Sequence, residues 1–205
     1  MRVVLASGGT GGHFYPGFVL AKLLRKRGHE PLFFLRTEDP ARARLDEENM
    51  PYAEIDLRGF PRRPSTQWLT LPCRFLRSLS ATRNIFRAFR PAVVVGTGGY
   101  LTLPAAAIAR LRGIPVVLHE SNAVLGLANA LCARWAHTLA MGLPPAAPFP
   151  GNTRLTGTPI REALRAPMDA AAARKELGLD PARKTVLIFG GSQGARAINN
   201  AMGDA

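Results

Sequence analysis

One local design occurs near both ends of the chain: a short apolar run rich in β-branched residues, a glycine cluster, and a helical pattern. The first copy is VVLASGGTGGH at residues 3–13, and the second is VLIFGGSQGA at residues 186–195. Between them, short β-branched runs alternate with longer helical patterns, which is typical of a parallel sheet covered by helices. The sequence therefore predicts the α/β class, with a Rossmann-like parallel sheet flanked by helices and the start of a second Rossmann-like domain.

The positions of the predicted elements follow from apolar periodicity. Strands are expected over residues 3–6, 32–35, 52–57, 92–95, 115–118, 138–141 and 185–189. Helices are expected over residues 16–28, 68–89, 101–111, 124–135 and 170–177, and from about Gln193. Pro16 is a typical first residue of a helix, and Ser121 or Asn122 is the expected cap of the helix over 124–135.

The chain is expected to divide into two domains. Residues 142–153 hold four prolines and two glycines without periodicity, which predicts a loop or linker and a boundary nearby. We assign residues 1–160 to an N-terminal domain and residues 161–205 to the first helices and strand of a second one. Because one strand and its helices cannot bury a core alone, that second domain is expected to be incomplete.

The composition excludes several classes of protein. Two cysteines are too few for a disulfide framework, so a reducing compartment is favoured. No run of the sequence is apolar and long enough for a signal peptide or a membrane span. The net charge of +13 includes ten arginines and no acid between Asp56 and Glu120. Such a field suits phosphate groups on nucleic acid, an anionic membrane or a small molecule, although arginine-rich codon usage would also produce it.

The glycine clusters are expected to lie at the carboxyl ends of parallel strands, where the backbone can approach a phosphate or carboxylate closely. The first cluster, from Gly9, misses the third glycine of the dinucleotide fingerprint. Neither cluster has the lysine that closes a P-loop. His13 stands where a helix begins, and a helix N-terminus disfavours the charged imidazolium. It is therefore a candidate general base or, equally, a capping residue. His119, Glu120, Ser121 and Asn122 form a second polar group, and no cluster has metal-ligand spacing.

The long helical stretch over 68–89 carries an apolar stripe bordered by arginines. The stripe comprises Trp68, Leu71, Phe75, Leu79, Phe86 and Phe89, and the flanking arginines are Arg74, Arg77, Arg83, Arg87 and Arg90. Packing against the sheet explains the stripe itself. The additional apolar residues Trp68, Leu69, Pro72 and Leu76, with Arg62 and Arg63 just before them, favour shallow binding to an anionic bilayer.

Five motifs in this order and spacing resemble the MurG family of glycosyltransferases, family 28. They are GGTGGHFYPG at 8–17, GTGGYLTLPA at 96–105, HESNAVLGLANA at 119–130, GTPIR at 157–161 and GGSQGARAIN at 190–199. The resemblance implies a GT-B fold, in which residues 1–160 form the acceptor-binding domain. It also implies inverting transfer of N-acetylglucosamine from UDP-GlcNAc to undecaprenyl-pyrophosphoryl-MurNAc-pentapeptide, which converts lipid I to lipid II in peptidoglycan synthesis. The enzymes of this family are peripheral proteins of the cytoplasmic face of the inner membrane, so an anionic membrane surface is an implied partner.

The resemblance also implies the residues of the site. The substrate-binding positions are Thr10, Gly11, Gly12, His13, Gly98, Gly99, Tyr100, Asn122, Arg161 and Ser192. His13 is the expected base, with His119 and Glu120 as supporting or competing catalytic residues. Helix N-termini and backbone amides are expected to stabilise the departing UDP, with no metal and no cofactor.

Three interpretations of the chain remain open at this point. The first is a transferase whose donor domain is largely absent, so that this chain alone is expected to be inactive. The second is a non-catalytic, membrane-associated acceptor-binding subunit of a split GT-B glycosyltransferase. The third is a nucleic-acid-binding protein, which has the charge but none of the recognisable motifs, so no nucleic-acid partner is expected.

Overall fold

Seven parallel strands form one sheet in the computed structural model, which describes residues 1–57, 67–147, 149, 151–165, 168–190 and 195–203, without the side chains of 67–69. The strands are β1 (Arg2–Ala6), β2 (Glu30–Arg36), β3 (Tyr52–Ile55), β4 (Val93–Gly96), β5 (Val116–Glu120), β6 (Thr138–Met141) and β7 (Thr153–Leu155). Their order is β3-β2-β1-β4-β5-β6-β7. The predicted parallel sheet flanked by helices is confirmed.

The order of the strands reverses between β1 and β4, which pair with Ala6 opposite Gly96. Chain segments that leave these two neighbouring strands run to opposite sides, so a crevice opens at their carboxyl ends. Both glycine clusters of the N-terminal half follow these strands directly. The topology therefore brings residues 7–12 and 97–100 together at one sheet edge.

In the described part of the first unit, residues 1–160, the α-helices are α1 (Gly11–Lys26), α2 (Ala41–Glu47), α3 (Gln67–Phe89), α4 (Thr102–Leu111) and α5 (Leu127–Cys132). Strand residues alternate between two apolar clusters, because successive side chains point to opposite faces. Leu5 and Phe33 pack in one cluster, whereas Val4, Phe34 and Phe86 pack in the other. The sheet is thus buried on both faces.

Two helix starts differ from the predictions. Helix α1 begins at Gly11, five residues before Pro16, because extended Thr10 already turns the chain and its carbonyl accepts from the amides of His13 and Phe14. Helix α5 begins only at Leu127, after Gly126. The predicted caps Ser121 and Asn122 are wrong, because residues 121–126 form a loop instead.

The apolar stripe of α3 is largely core. Phe86 is fully buried, and Phe75, Leu79 and Phe89 pack against the same cluster. Of the additional apolar residues, Pro72 and Leu76 are exposed, whereas Arg62, Arg63 and the side chains of Trp68 and Leu69 lie outside the described residues. None of the helices within the described ranges has the length and apolar character needed to cross a membrane.

The described residues of 142–152 form a loop inside the first unit and not a linker, because β7 follows them and pairs with β6. The second unit, residues 161–205, contains α6 (Ala170–Glu176) and α7 (Arg196–Gly203). The predicted strand over 185–189 is wrong: these residues are exposed and irregular. A strand needs a paired neighbour, and the described residues of this unit supply none. The predicted helix start at Gln193 lies outside the described residues.

Candidate active site

His13 is the residue around which the candidate site is built. It lies in the first turn of α1, where its Nδ1 is 2.9 Å from the carbonyl oxygen of Thr97. A carbonyl oxygen only accepts hydrogen bonds, so Nδ1 carries the proton and donates it. In the neutral imidazole Nε2 keeps its lone pair and is therefore the nitrogen that can take a proton.

The backbone of His13 is fixed by the ends of two neighbouring strands. Its carbonyl oxygen accepts a hydrogen bond from the hydroxyl of Ser7 and another from the hydroxyl of Thr97, each at 2.7 Å. Ser7 directly follows β1, and Thr97 directly follows β4. The histidine is thus held by its ring and its backbone at the point where the strand order reverses.

Gly98 and Gly99 form the backbone surface against which the His13 ring packs. Both have left-handed backbones, with φ of +97° and +75°. A β-carbon at Gly98 would lie 2.9 Å from Cε1 and Nδ1 of His13, and one at Gly99 would lie 3.4 Å from Cδ2. The first distance is too short for carbon atoms, so glycine at 98 is required by the backbone conformation and by the imidazole.

The His13 ring lines an open cavity of about 230 Å³. Gly98, Gly99 and Tyr100 form one wall, and Leu103 with residues of the 120–128 segment forms the other. The structure brings six predicted site residues together here: His13, Gly98, Gly99, Tyr100, Glu120 and Asn122. Burial raises the pKa of Tyr100; the charge of Arg36 lowers this pKa by less, and the charge of Asp39 raises it further. The phenol therefore stays protonated and can donate a hydrogen bond.

Thr10 and Gly11 line a second cavity, of about 180 Å³, together with Asp39 and Arg44. The amide of Gly9 donates to the Asp39 carboxylate at 2.9 Å, so this amide of the glycine loop already has an acceptor. Gly12 is exposed in the first turn of α1. The first amides of a helix have no acceptor within it and carry the positive end of its dipole. The N-terminal turn of α1 is thus suited to an anion.

Glu120 organises the loop that forms the far wall of the His13 cavity. Its carboxylate accepts from the amide and the side chain of Asn122, from the amide of Gly126 and from the side chain of Asn129, at 2.8 to 3.2 Å. Burial raises the pKa of Glu120, but these hydrogen bonds outweigh it and leave the pKa lowered. The carboxylate is therefore ionised and engaged with the loop, which suits a positioning residue.

Asn129 is a site residue that the sequence reasoning missed. Its fully buried side-chain amide donates to the carbonyl of His119 and to Glu120, both at 3.0 Å, while its Oδ1 has no partner in the described structure. Thr97, Ser7 and Asp39 were missed as well. Of these four residues, only Asn129 could have been recognised from the sequence. It occupies an inward-facing position of a predicted helix, and a buried asparagine needs polar partners.

His119 is buried at the end of β5 and is not among the residues that line the His13 cavity. Its Nε2 is 3.4 Å from the carbonyl oxygen of Gly157, and its Nδ1 has no partner in the described structure. Burial lowers the pKa of His119, and the Gly157 hydrogen bond and the Glu120 charge only partly offset this. The neutral ring of His119 therefore has a structural role: it links the end of β5 to the segment around Gly157.

Two predicted residues belong to the second unit. Arg161 is exposed there, and Ser192 lies outside the described residues. Across the ranges that the structure covers, no three histidine, cysteine, aspartate or glutamate side chains are grouped so that they could hold a metal ion. Within the described first unit, the candidate site consists of an imidazole, the Glu120 carboxylate, backbone amides and hydroxyl or amide side chains.

Sequence comparison relates this chain to known proteins. Residues 3–141 match the model of the glycosyltransferase family 28 N-terminal domain. A protein of Elusimicrobium minutum named UDP-N-acetylglucosamine–N-acetylmuramyl-(pentapeptide) pyrophosphoryl-undecaprenol N-acetylglucosamine transferase is 45% identical over 98% of this chain and 56% of its own length. The protein of the same name from Frankia casuarinae is 43% identical, over 98% of this chain and 54% of its own length.

Among solved structures, the crystal structure of Acinetobacter baumannii MurG is similar with a TM-score of 0.75 and 27% sequence identity, over 98% of this chain and 55% of that chain. The chain thus spans about half the length of the curated relatives that it matches.

Proposed function

Because the chain belongs to glycosyltransferase family 28, whose N-terminal domain it carries, we propose that it binds the acceptor of an inverting N-acetylglucosamine transferase. The donor is UDP-GlcNAc, and the acceptor is undecaprenyl-pyrophosphoryl-MurNAc-pentapeptide, so that the product of the whole protein is lipid II. The names and identities of the relatives support the substrates. The observation that carries the proposal for this chain is the His13 ring, oriented by Thr97 and facing a cavity at the strand switch point.

The acceptor's diphosphate lies against backbone amides in this proposal. Helices α1 and α4 begin at the same sheet edge, and their N-termini carry partial positive charge. Gly98 and Gly99 have left-handed backbones and no side chains, which lets a phosphate approach the backbone closely. Tyr100 adds a hydroxyl donor beside them.

His13 acts as the general base in the proposed reaction. Its Nε2 takes the proton of the acceptor 4-hydroxyl as that oxygen attacks the anomeric carbon of GlcNAc. The new bond between oxygen and carbon forms on the face opposite the bond to UDP, which breaks with its electron pair and leaves UDP. Thr97 keeps the ring in the productive tautomer. Glu120 and Asn129 act by holding the 120–128 wall in position, and Asn122 contributes a polar contact. His119 acts by supporting β5 and the segment at Gly157.

Arg161 and Ser192 are proposed to contact donor or acceptor groups in the whole protein. The anionic face of the cytoplasmic membrane is the proposed location, where lipid-linked acceptor is present. Exposed arginines of α3, among them Arg77, Arg83 and Arg87, and the exposed side chain of Leu76 support this part of the proposal.

A transfer assay tests the proposal on a chimaera in which the C-terminal half of the Elusimicrobium minutum relative is joined to residues 1–205. We expect the parent chimaera to transfer GlcNAc to a short-chain acceptor, and His13→Gln to lower kcat by about 10²–10⁴-fold. His29→Gln is the control, because His29 lies on the surface near the N-terminus. Parent-like turnover in a folded His13→Gln chimaera would remove His13 from the mechanism.

A further inference from the structure

We propose that a groove between α4 and α5 holds the first isoprene units of the acceptor's polyprenyl chain. The α4–α5 groove is defined by Leu103, Ala107 and Leu111 on α4 and by Leu127, Leu131 and Trp135 on α5 and the turn after it. The proposal rests on the acceptor function proposed above and adds a lipid subsite to the diphosphate site.

The two ends of the groove are open cavities between the same two helices. At the near end, Leu103 of α4 and Leu127 of α5 line the cavity that holds the His13 ring. At the far end, Ala107 and Leu111 of α4 line a cavity of about 570 Å³ with Trp135. Leu131 lies one helical turn beyond Leu127 and one turn before Trp135, so it connects the two ends on the α5 side.

The α5 side of the groove is apolar and exposed. Leu127 is 71% exposed, Leu131 42% and Trp135 38%, whereas the neighbouring Ala128 and Cys132 are buried against the sheet. On α4, Leu111 is 80% exposed. A contiguous row of exposed large apolar side chains is uncommon on a protein surface and marks a binding surface.

The occupant follows from what lies at each end. Leu111 lies eight residues after Leu103 on α4. At a rise of 1.5 Å per residue, the apolar row on this helix is therefore about 12 Å long, and it starts beside the His13 cavity. A ligand whose diphosphate lies on the amides at Gly98 and Gly99 and which continues into this groove must carry an apolar chain on that diphosphate. A polyprenyl diphosphate has this structure, whereas UDP-GlcNAc carries polar groups on both sides of its diphosphate.

The charges at the far end fit the same ligand. Arg110 and Arg134 line the cavities around Trp135, and both are exposed. Arginines at the exit of the groove suit the anionic membrane surface in which the remainder of the polyprenyl chain lies.

Calorimetric titrations of the 205-residue chain with pyrophosphate and with farnesyl diphosphate test the groove. We expect wild type to bind farnesyl diphosphate at least about tenfold more tightly than pyrophosphate, since buried methylene groups add to the affinity. Leu131→Ser should lose most of this difference and keep the affinity for pyrophosphate. Leu23→Ser is the matched control, because Leu23 on α1 is 43% exposed and lies outside the groove.

The outcomes separate the groove from the acceptor site. Equal affinities for the two compounds, or Leu131→Ser behaving like Leu23→Ser, would overturn the groove and leave the diphosphate site intact. A wild-type chain that binds neither compound would overturn the diphosphate site and the groove with it. If sedimentation showed a wild-type dimer that Leu131→Ser converts to a monomer, the groove would be a self-association surface and the lipid assignment would be wrong.

Discussion

The substitution Gly98→Ala tests how the backbone orients His13. The new methyl group would lie 2.9 Å from Cε1 and Nδ1 of the imidazole, at a residue with φ of +97°. Two costs follow: about 1–2 kcal/mol for a left-handed alanine, and about 0.5–1.5 kcal/mol if the ring gives up its hydrogen bond to Thr97. We expect the free energy of unfolding to fall by about 2–3 kcal/mol.

Gly28→Ala is the matched control for this experiment. Gly28 also has a left-handed backbone, with φ of +75°, but a β-carbon added there would meet nothing within 4 Å. Only the backbone cost of about 1–2 kcal/mol should appear at this position. Urea unfolding measures both variants, and the nitrogen resonances of His13 report the position of the ring. Equal losses of stability with unchanged His13 resonances would refute the claim that Gly98 is required by the imidazole.

Two further predictions concern the charges of the domain. Glu120→Gln should lower the unfolding free energy by about 1–3 kcal/mol at pH 7, because it places an amide among four donors. Since folding lowers the pKa of Glu120, its contribution is complete above its ordinary value of 4.5 and is lost as the pH falls through the lowered pKa. The difference between the two proteins should therefore shrink in acid, and a pH-independent difference in urea unfolding would contradict this. In vesicle sedimentation, removal of the α3 arginines should reduce binding to anionic vesicles by about 100-fold, at about 1 kcal/mol for each arginine. The variant is Arg77→Gln, Arg83→Gln and Arg87→Gln, and the charge-matched control is Arg27→Gln, Arg154→Gln and Arg165→Gln. Equal binding by the two would remove α3 from the membrane contact.

The sheet could be predicted because its signal is local. Runs such as Val93–Val95 are apolar and β-branched, and buried parallel strands need no information from distant residues. The same reasoning failed for residues 185–189, which have the composition of a strand but no paired neighbour among the described residues of the second unit. Composition predicts a tendency to form a strand, whereas the strand itself depends on its partner.

The site could be predicted only in part. His13 and the glycines were recognisable from their motifs, but the hydrogen bond that sets the ring's tautomer joins residues 84 positions apart. The loop over 121–126 is organised by the buried Glu120 carboxylate, which the helical pattern of the sequence conceals. That pattern also concealed the exposure of Leu127 and Leu131, because periodicity shows which residues share a face but not what covers that face.

Nitrogen NMR of the His13 imidazole during a pyrophosphate titration tests whether His13 faces the bound diphosphate. In the free chain we expect a ring protonated at Nδ1, as the Thr97 carbonyl requires. Addition of pyrophosphate should shift the Nε2 resonance and leave the rings of His29 and His137 unchanged. A ring protonated at Nε2, or a His13 spectrum that saturating pyrophosphate does not alter, would contradict the account of an acceptor site with His13 as its base.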